Sequence, residues 1–478
     1  MAKGEKVADT EVFYTLLPAT LKERIYSMGD IWGIQICFGI AAWFFLIGSQ
    51  TGMWLPAKTA IPTVIFGNCF ALLLMAPIAI ISARYGVEQM QGTIPIFGQR
   101  FTPLNLVMFY VTVFCGLALA TLMFGKGAIK FWAAIFGPDH FLSQNYYVWA
   151  LLCLVLGLLV AYLGPDTMKW LINLAAIFMV VVLIGLVIYL FKYHGVHEIF
   201  AAKPASPLVI KGNPALSHRW NLAASFEINV GLGLSWTYWY GQWTRLAKSE
   251  KAAYHGCMWG WGALSAVAGV FSALAALAIH QYDPTVWLVE VGKNTGITFL
   301  PIIGLLLMAV ANIMAVTTLI YPGAISFRTH YPKVKWNVAL AVSSLPALAL
   351  ILIPGFYDSI ASIYSLVGAL CVLYGAIIVV DYHFISKGVY DLRSTFNKKE
   401  GYMYWHGINP AAAIAWVVGA AFYLWTFNPF TITSANGWFP YITAGVPTCF
   451  LTGAVYYVLM RVWVTKKWPQ PLQLIKPE

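Results

Sequence analysis

The chain has 478 residues, of which 60% are hydrophobic and only 10% charged, with a mean hydropathy of +0.73. No water-soluble fold of that length hides so much apolar surface, so a polytopic membrane protein is expected. The formal charge of +11 does not imply a nucleic-acid partner, because the basic residues sit at segment ends and form no stripe.

A bilayer core of ~30 Å needs roughly 20 helical residues. About twelve apolar segments follow one another, at roughly 29–50, 58–83, 104–134, 145–164, 170–192, 222–243, 256–280, 299–325, 337–355, 358–380, 409–427 and 439–463. They are numbered 1 to 12 below. The fold class expected is therefore all-α, polytopic and lipid-embedded. With the N-terminus cytoplasmic, 21 Lys and Arg fall on inner stretches and 6 on outer ones. The positive-inside rule then puts both termini in the cytoplasm. The first 28 residues are polar and lack an apolar core followed by a small-residue cleavage site, so no cleavable signal is read there. A bacterial inner membrane fits that pattern.

An outer loop at 193–221 separates segments 5 and 6, and an inner loop at 381–408 separates segments 10 and 11. The chain divides into a tail 1–28, five segments over 29–192, five over 222–380, two over 409–463 and a tail 464–478. Segments 1 and 6 echo one another: Gln35 and Glu227 each precede a glycine, Gly39 and Gly231, by four residues, with Trp43 and Trp236 following. Glycine near mid-span in both, taken as a pair, predicts broken helices, which membranes tolerate only where the freed backbone lines a cavity. Close helix packing is the alternative, and the better reading of either glycine alone.

Glu227 lies within segment 6, and Lys126 and Lys130 in the outer half of segment 3. An ionisable group at such depth is costly unless paired or wetted, so Glu227 is a candidate for substrate binding or proton coupling. A structural pair with Lys126 is the alternative. Asp30, Asp358 and Asp381 lie at segment ends and suit caps. Segment 8 carries Asn312, Thr317 and Thr318, whose oxygens suit a hard cation or the edge of a heterocycle. Trp236 is the member of the aromatic-rich run 236–243 nearest the expected break, placed to stack on a flat ligand. The seven cysteines form no C-x-x-C pair or metal-ligand spacing and read as small core residues. No P-loop, H-E-x-x-H or G-x-S-x-G motif is present, so no enzymatic activity is expected.

The loop after segment 10 reads Asp381-Tyr382-His383-Phe384, then Tyr390-Asp391-Leu392, then Tyr402-Met403-Tyr404-Trp405-His406-Gly407-Ile408-Asn409-Pro410. It resembles a signature of the nucleobase–cation symport family, which includes cytosine, purine, allantoin and hydantoin permeases. Ala83-Arg84-Tyr85-Gly86-Val87, Ile96-Phe97-Gly98 and Thr244-Arg245 are weaker landmarks. The resemblance implies a LeuT-type fold: two inverted five-helix repeats with broken segments 1 and 6, plus two extra helices. It implies a secondary-active symporter for a nucleobase or related planar nitrogen heterocycle (hydantoin, allantoin or a vitamin precursor), bound between segments 1, 3, 6 and 8.

Substrate contacts are expected at Gln35, Phe38, Glu227, Gly231 and Trp236 from the residues themselves, and the resemblance, carried over by position, adds Phe114, Ala118, Gly233 and Thr318. It puts sodium, if used, among Ile34, Cys37, Asn312 and Ile313. Phe114 replaces the family's tryptophan and Ala118 its glutamine. The usual pair of segment 8 hydroxyls falls on Asn312 and Ile313, so proton coupling through Glu227 stands beside sodium coupling. No resident cofactor is expected, and the partners are a small heterocycle and the bilayer. An amino acid or amine carrier of the same fold is the runner-up, and a channel or membrane receptor is a more distant alternative. The sequence does not fix the oligomeric state.

Overall fold

The computed structural model describes residues 18–211, 213–293, 300–396 and 401–468. Most of both predicted tails, and the first residue of segment 8, lie outside that set. Among the described residues there is no strand, only three isolated bridges. All twelve predicted segments contain helix. Six helices are long and apolar enough to cross a bilayer, and seven when a bent pair counts as one. Length and composition therefore do not confirm the count of twelve.

The bent pair is segment 1, Met28–Gly39 and Ala42–Trp54, which turn by 50°. A capping box starts it: the Ser27 hydroxyl accepts from the Asp30 backbone N–H at 3.3 Å, and Asp30 Oδ2 accepts from the Ser27 N–H at 2.8 Å. At the break Ala41 is extended, with φ −129° and ψ 176°. The Phe38 carbonyl there receives the Trp43 indole N–H at 2.8 Å, satisfying a group that lipid could not. Gly39 permits the close passage of segment 7, because a Cβ would stand 2.5 Å from the Ser265 hydroxyl oxygen.

Segment 6 breaks too, but not at Gly231 as the sequence pattern predicts. Its helix runs unbroken from Pro214 to Leu234. It then tightens into a 3₁₀ turn over Ser235–Tyr238 and resumes at Tyr240–Thr244. Gly231 instead serves packing: a Cβ on Gly368 of segment 10 would lie 2.5 Å from the Gly231 Cα. Two glycines let these helices touch backbone to backbone.

The signature loop after segment 10 is a clasp. Asn409 donates its backbone N–H to the Phe97 carbonyl at 2.8 Å and its side-chain amide to the Ile96 carbonyl at 2.7 Å. The Tyr390 N–H reaches the Tyr85 hydroxyl at 2.9 Å, and the Arg100 N–H the Gly407 carbonyl at 2.7 Å. Gly98, at φ +92°, lies where a side chain would collide with that same carbonyl. Landmarks far apart in sequence thus meet on one face.

On that face, predicted to be the inner one, segments 1, 2, 5 and 6 and the start of the segment 7 helix are tied together. Tyr26 and Leu246–Lys248 exchange backbone hydrogen bonds of 2.9 and 2.8 Å. Arg84 grips Glu250 with two bonds of 2.8 and 3.0 Å. Lys169 holds Asp30 at 3.0 Å while Asn173 donates to the same carboxylate at 2.9 Å. On the opposite face Lys126 sits between Asp283 (3.7 Å) and Asp358 (3.9 Å), over the Tyr357 ring. Lys126 thus pairs across the outer loops, and the alternative pairing with Glu227 is not formed.

The inner tie yields a prediction. A half-exposed ion pair contributes ~1 kcal/mol, enough to move a two-state population about fivefold. Lys169→Ala is expected to raise severalfold the labelling of Cys37, whose thiol lies against the Ile172 carbonyl of segment 5 at 3.5 Å. Mass spectrometry of thiol-labelled protein reads this directly, and unchanged Cys37 labelling would mean the pair does not hold that face shut.

Candidate functional site

The two breaks meet in the middle of the bundle around a small cavity of about 20 Å³. Segment 1 contributes Trp43; segment 3 contributes Thr112, Cys115 and Gly116; segment 6 contributes Ser235, Trp236 and Trp239. Trp261 of segment 7, Leu319 of segment 8, and Ile363, Tyr364 and Val367 of segment 10 close it. The void has room for about one water and for no ring, so the site is shut to a ligand by its own side chains. A larger cavity of about 620 Å³ lies among segments 2, 5 and 7. Its walls are almost wholly apolar, with few groups able to read a heterocycle.

The walls are aromatic. Trp236 stacks on Trp261 at 4.9 Å with 13° between planes and on Trp239 at 5.3 Å with 12°. Phe38 crowds the Trp236 ring at 3.5 Å between centroids, and Trp239 is held edge-on by Phe109 at 4.5 Å. Trp261 donates its indole N–H to the Gly233 carbonyl at 3.3 Å, just ahead of the segment 6 break. The 3₁₀ turn explains the placement of Trp236 and Trp239, because three residues per turn project positions three apart from one side.

The predicted site residues divide. Trp236 lines the cavity, Phe38 packs on it, and Gly233 supports the wall through its carbonyl. Gln35 is buried one turn before the break; its amide leans on the Cys257 sulfur at 3.8 Å and its Oε1 has no partner among the described residues. Phe114 does not line the cavity: it stacks on Tyr110 at 5.2 Å, while its neighbours Cys115 and Gly116 face inward. Ala118 is buried away from the lining, and Gly231 packs on segment 10. The Thr318 hydroxyl bonds back to the Met314 and Ala315 carbonyls, while the next residue, Leu319, reaches the cavity.

Glu227 is fully engaged elsewhere. Its carboxylate accepts from the backbone N–H groups of Ala444 (2.9 Å) and Gly445 (3.0 Å) and from the Tyr423 hydroxyl (2.9 Å). Those amides open the helix Gly445–Leu459 of segment 12, so a carboxylate sits at a helix N-terminus.

Among the residues expected at a sodium site, Ile34 is buried, the Cys37 thiol faces segment 5, and the Ile313 carbonyl accepts the Thr317 hydroxyl at 2.9 Å. Asn312 differs: it is 1% exposed, and neither amide atom has a partner among the described residues. Seven residues separate it from Leu319, so the two share a helix face. Outside the membrane-spanning segments, Glu88 is buried in the loop after segment 2. Burial pushes its carboxyl above the usual range, against bonds from Ser326, Met90 and Gln91 that pull it down.

Trp43, Trp239, Trp261 and Tyr364 were not singled out from sequence as ligand-binding residues. Trp43 carried a signal, since it closes the repeat shared by segments 1 and 6. The others look like ordinary apolar-segment aromatics.

The model of a family of permeases for cytosine/purines, uracil, thiamine and allantoin matches residues 24–443. The chain belongs to this permease family. It is an integral membrane protein and a nucleobase-type transporter. A search by sequence among curated proteins found no significant match. Among solved structures, the permease is similar to Mhp1, a nucleobase-cation-symport-1 family transporter, in a closed conformation with bromovinylhydantoin bound. The TM-score is 0.77, with 15% identity over 96% of both chains. The inward-facing conformation of Mhp1 matches equally, with a TM-score of 0.77, 15% identity, and 95% of this chain and 94% of that one covered. A Na⁺-coupled sialic acid symporter in an outward-open state follows, with a TM-score of 0.56, 12% identity and 96% of each chain covered. At these identities the likeness shows the fold, the LeuT type expected from sequence.

Proposed function

We propose that the protein is a cation-coupled symporter for a planar nitrogen heterocycle, stacked between indole rings where the breaks of segments 1 and 6 meet. The observation that carries this reading is the convergence of Trp43, Trp236, Trp239 and Trp261 on one shut cavity. Flat π-faces bind flat ligands whatever their edge pattern. The Trp236 N–H is an edge donor unclaimed among the described residues, and the Ser235 and Thr112 hydroxyls, whose protons go to the Leu232 and Phe109 carbonyls, are left as acceptors. Gln35, one turn from the break, keeps its candidacy because its amide oxygen is unclaimed. Glu227, Gly231 and Phe114 are reassigned to structure. Segments 1–5 and 6–10 act as the two repeats and 11–12 as an appended pair, with both termini cytoplasmic in a bacterial inner membrane.

For the coupling cation, Asn312 is the first-choice ligand, its unpartnered amide oxygen being a hard donor. Proton coupling loses support because the Glu227 carboxylate is held by segments 11 and 12. The amine-carrier alternative loses it for the same reason. Alternating access follows from the two ties: the cluster around Lys126 releases to admit substrate, and the Asp30–Lys169 and Arg84–Glu250 pairs release to let it out.

Thermal-shift measurements with heterocycles and amino acids, in sodium and in choline, test this. Binding to the folded state raises the melting temperature. A heterocycle shift that grows in sodium and loses that growth in Asn312→Ala is the expected result. A shift from amino acids alone would overturn the substrate class, and sodium-independence would remove Asn312 from the mechanism.

A further inference from the structure

The two broken segments satisfy their freed backbone in different ways. Segment 1 mends itself, its own Trp43 indole donating to the Phe38 carbonyl. Segment 6 is propped from outside. In an unbroken α-helix the Thr237 carbonyl would accept from the Gly241 N–H, four residues on. The Gln89 side chain, from the loop after segment 2, stands in that place instead. Its Nε2 donates to the Thr237 carbonyl at 2.6 Å, and its Oε1 accepts from the Gly241 N–H at 2.8 Å. One amide thus replaces the missing rung of the ladder, group for group.

The wedge is built in. Gln89 is 1% exposed, and its Nε2 also reaches the Tyr374 hydroxyl at 3.3 Å. Tyr374 in turn stacks on Tyr238 of the break, at 4.2 Å with 20° between planes. Glu88 fixes the base: its carboxylate accepts from Ser326 at 2.6 Å, Gln242 at 3.2 Å and the Met90 N–H at 2.9 Å. Gly241 leaves room for the approach, because a Cβ there would stand 2.4 Å from the Gln89 Cβ. The signature loop steadies the same turn, Gln91 donating to the Thr395 hydroxyl at 2.7 Å.

Trp239 is the middle residue of the stretch that the amide bridges, and Trp236 lies just before it. Positions three apart share one side of a 3₁₀ turn but diverge by ~60° in an α-helix. Closing the Thr237–Gly241 rung would therefore turn the two indoles out of their common wall. We infer that Gln89 is a positioning residue, a wedge that keeps segment 6 broken and sets the angle at which Trp236 and Trp239 face the cavity. The consequence for ligand binding rests on the transporter reading above; the wedge itself does not.

The test compares purified full-length Gln89→Met and Gln89→Glu with the parent. Methionine keeps the volume and loses both hydrogen bonds, and the freed Thr237 and Gly241 groups then find one another. Near-ultraviolet circular dichroism is read without ligand, then binding of hydantoin, uracil, hypoxanthine and allantoin, and the melting temperature. Gln89→Met is expected to change the tryptophan dichroism and to weaken binding about tenfold, the loss of one stacked ring. Its melting temperature should change little. Gln89→Glu separates the wedge from mere volume. Ionised, it sets an oxygen against the Thr237 carbonyl; neutral, its O–H restores the bridge. Its affinity is therefore expected to recover on acidification, measured against the parent at each pH because Glu88 lies alongside. This arm decides the matter should Gln89→Met fail to fold. Unchanged dichroism in both variants would overturn the wedge, and parental affinity in both would overturn the positioning role, whatever the melting temperatures. A parent silent to every probe would overturn the substrate reading, and the dichroism would still decide the wedge.

Discussion

Glu227→Ala is expected to lower the melting temperature sharply and to leave any pH dependence of uptake unchanged. The substitution strands the buried N–H groups of Ala444 and Gly445, while the Tyr423 hydroxyl keeps the Ser365 carbonyl as an acceptor at 3.0 Å. Leaving two buried N–H groups without an acceptor costs ~1–3 kcal/mol for each. Gln is only a partial rescue: its carbonyl can keep the Ala444 and Gly445 N–H groups while its NH₂ turns to the Tyr423 hydroxyl oxygen, but the charge is lost. Glu227→Gln should therefore be less stable than the parent, with segments 11 and 12 loosened. The pair of measurements is thermal unfolding and the pH profile of uptake. A Glu227→Gln protein with parental stability and a flattened pH profile would return this residue to the coupling mechanism.

Trp261→Ala is expected to weaken heterocycle binding by about 10- to 100-fold, from ~1–3 kcal/mol for each stacked ring. Trp239→Ala is expected to act similarly. Trp261 does two things at once: its face forms one side of the stack and its N–H caps the Gly233 carbonyl at the segment 6 break. Trp261→Phe separates them, keeping an aromatic face and losing the cap. Binding by calorimetry should fall most in the alanine variant and less in the phenylalanine one. If both bind as the parent does, the stack is core packing and the ligand lies elsewhere. Trp170, on the lipid-facing side and 66% exposed, is the control whose replacement should change nothing.

Most of the fold was legible because the bilayer leaves a chain few choices. Apolar length set the segments, and the signature around Asp381 to Pro410 identified the family. The break at Gly39 was readable too, since the motif of segments 1 and 6 put a glycine near mid-span. Gly231 shows where that reasoning ends. The same local pattern occurs there, yet the helix stays intact and unwinds one turn later. The glycine is needed against Gly368, and nothing local in the sequence of segment 6 announces a partner in segment 10.

The site was legible by region and illegible by residue. Phe114 and Thr318 each sit next to a residue that lines the cavity, Cys115 and Leu319. One step along a helix turns a side chain by ~100°, so an alignment error of a single position moves a residue from ligand to packing. Trp261 went unnoticed because an indole in an apolar segment gives no sign of which neighbour it will face. Glu227 was found correctly as a buried carboxylate, but its partners come from segments 11 and 12, some 200 residues away.

The sequence alone determined that this is a helical membrane permease of the nucleobase-transport family, because hydrophobic length and a loop signature are local properties. The tertiary structure decided which indoles form the stack, where segment 6 breaks, and that Glu227 is held at a helix end. Those depend on which faces of distant helices meet, and only packing in three dimensions fixes that.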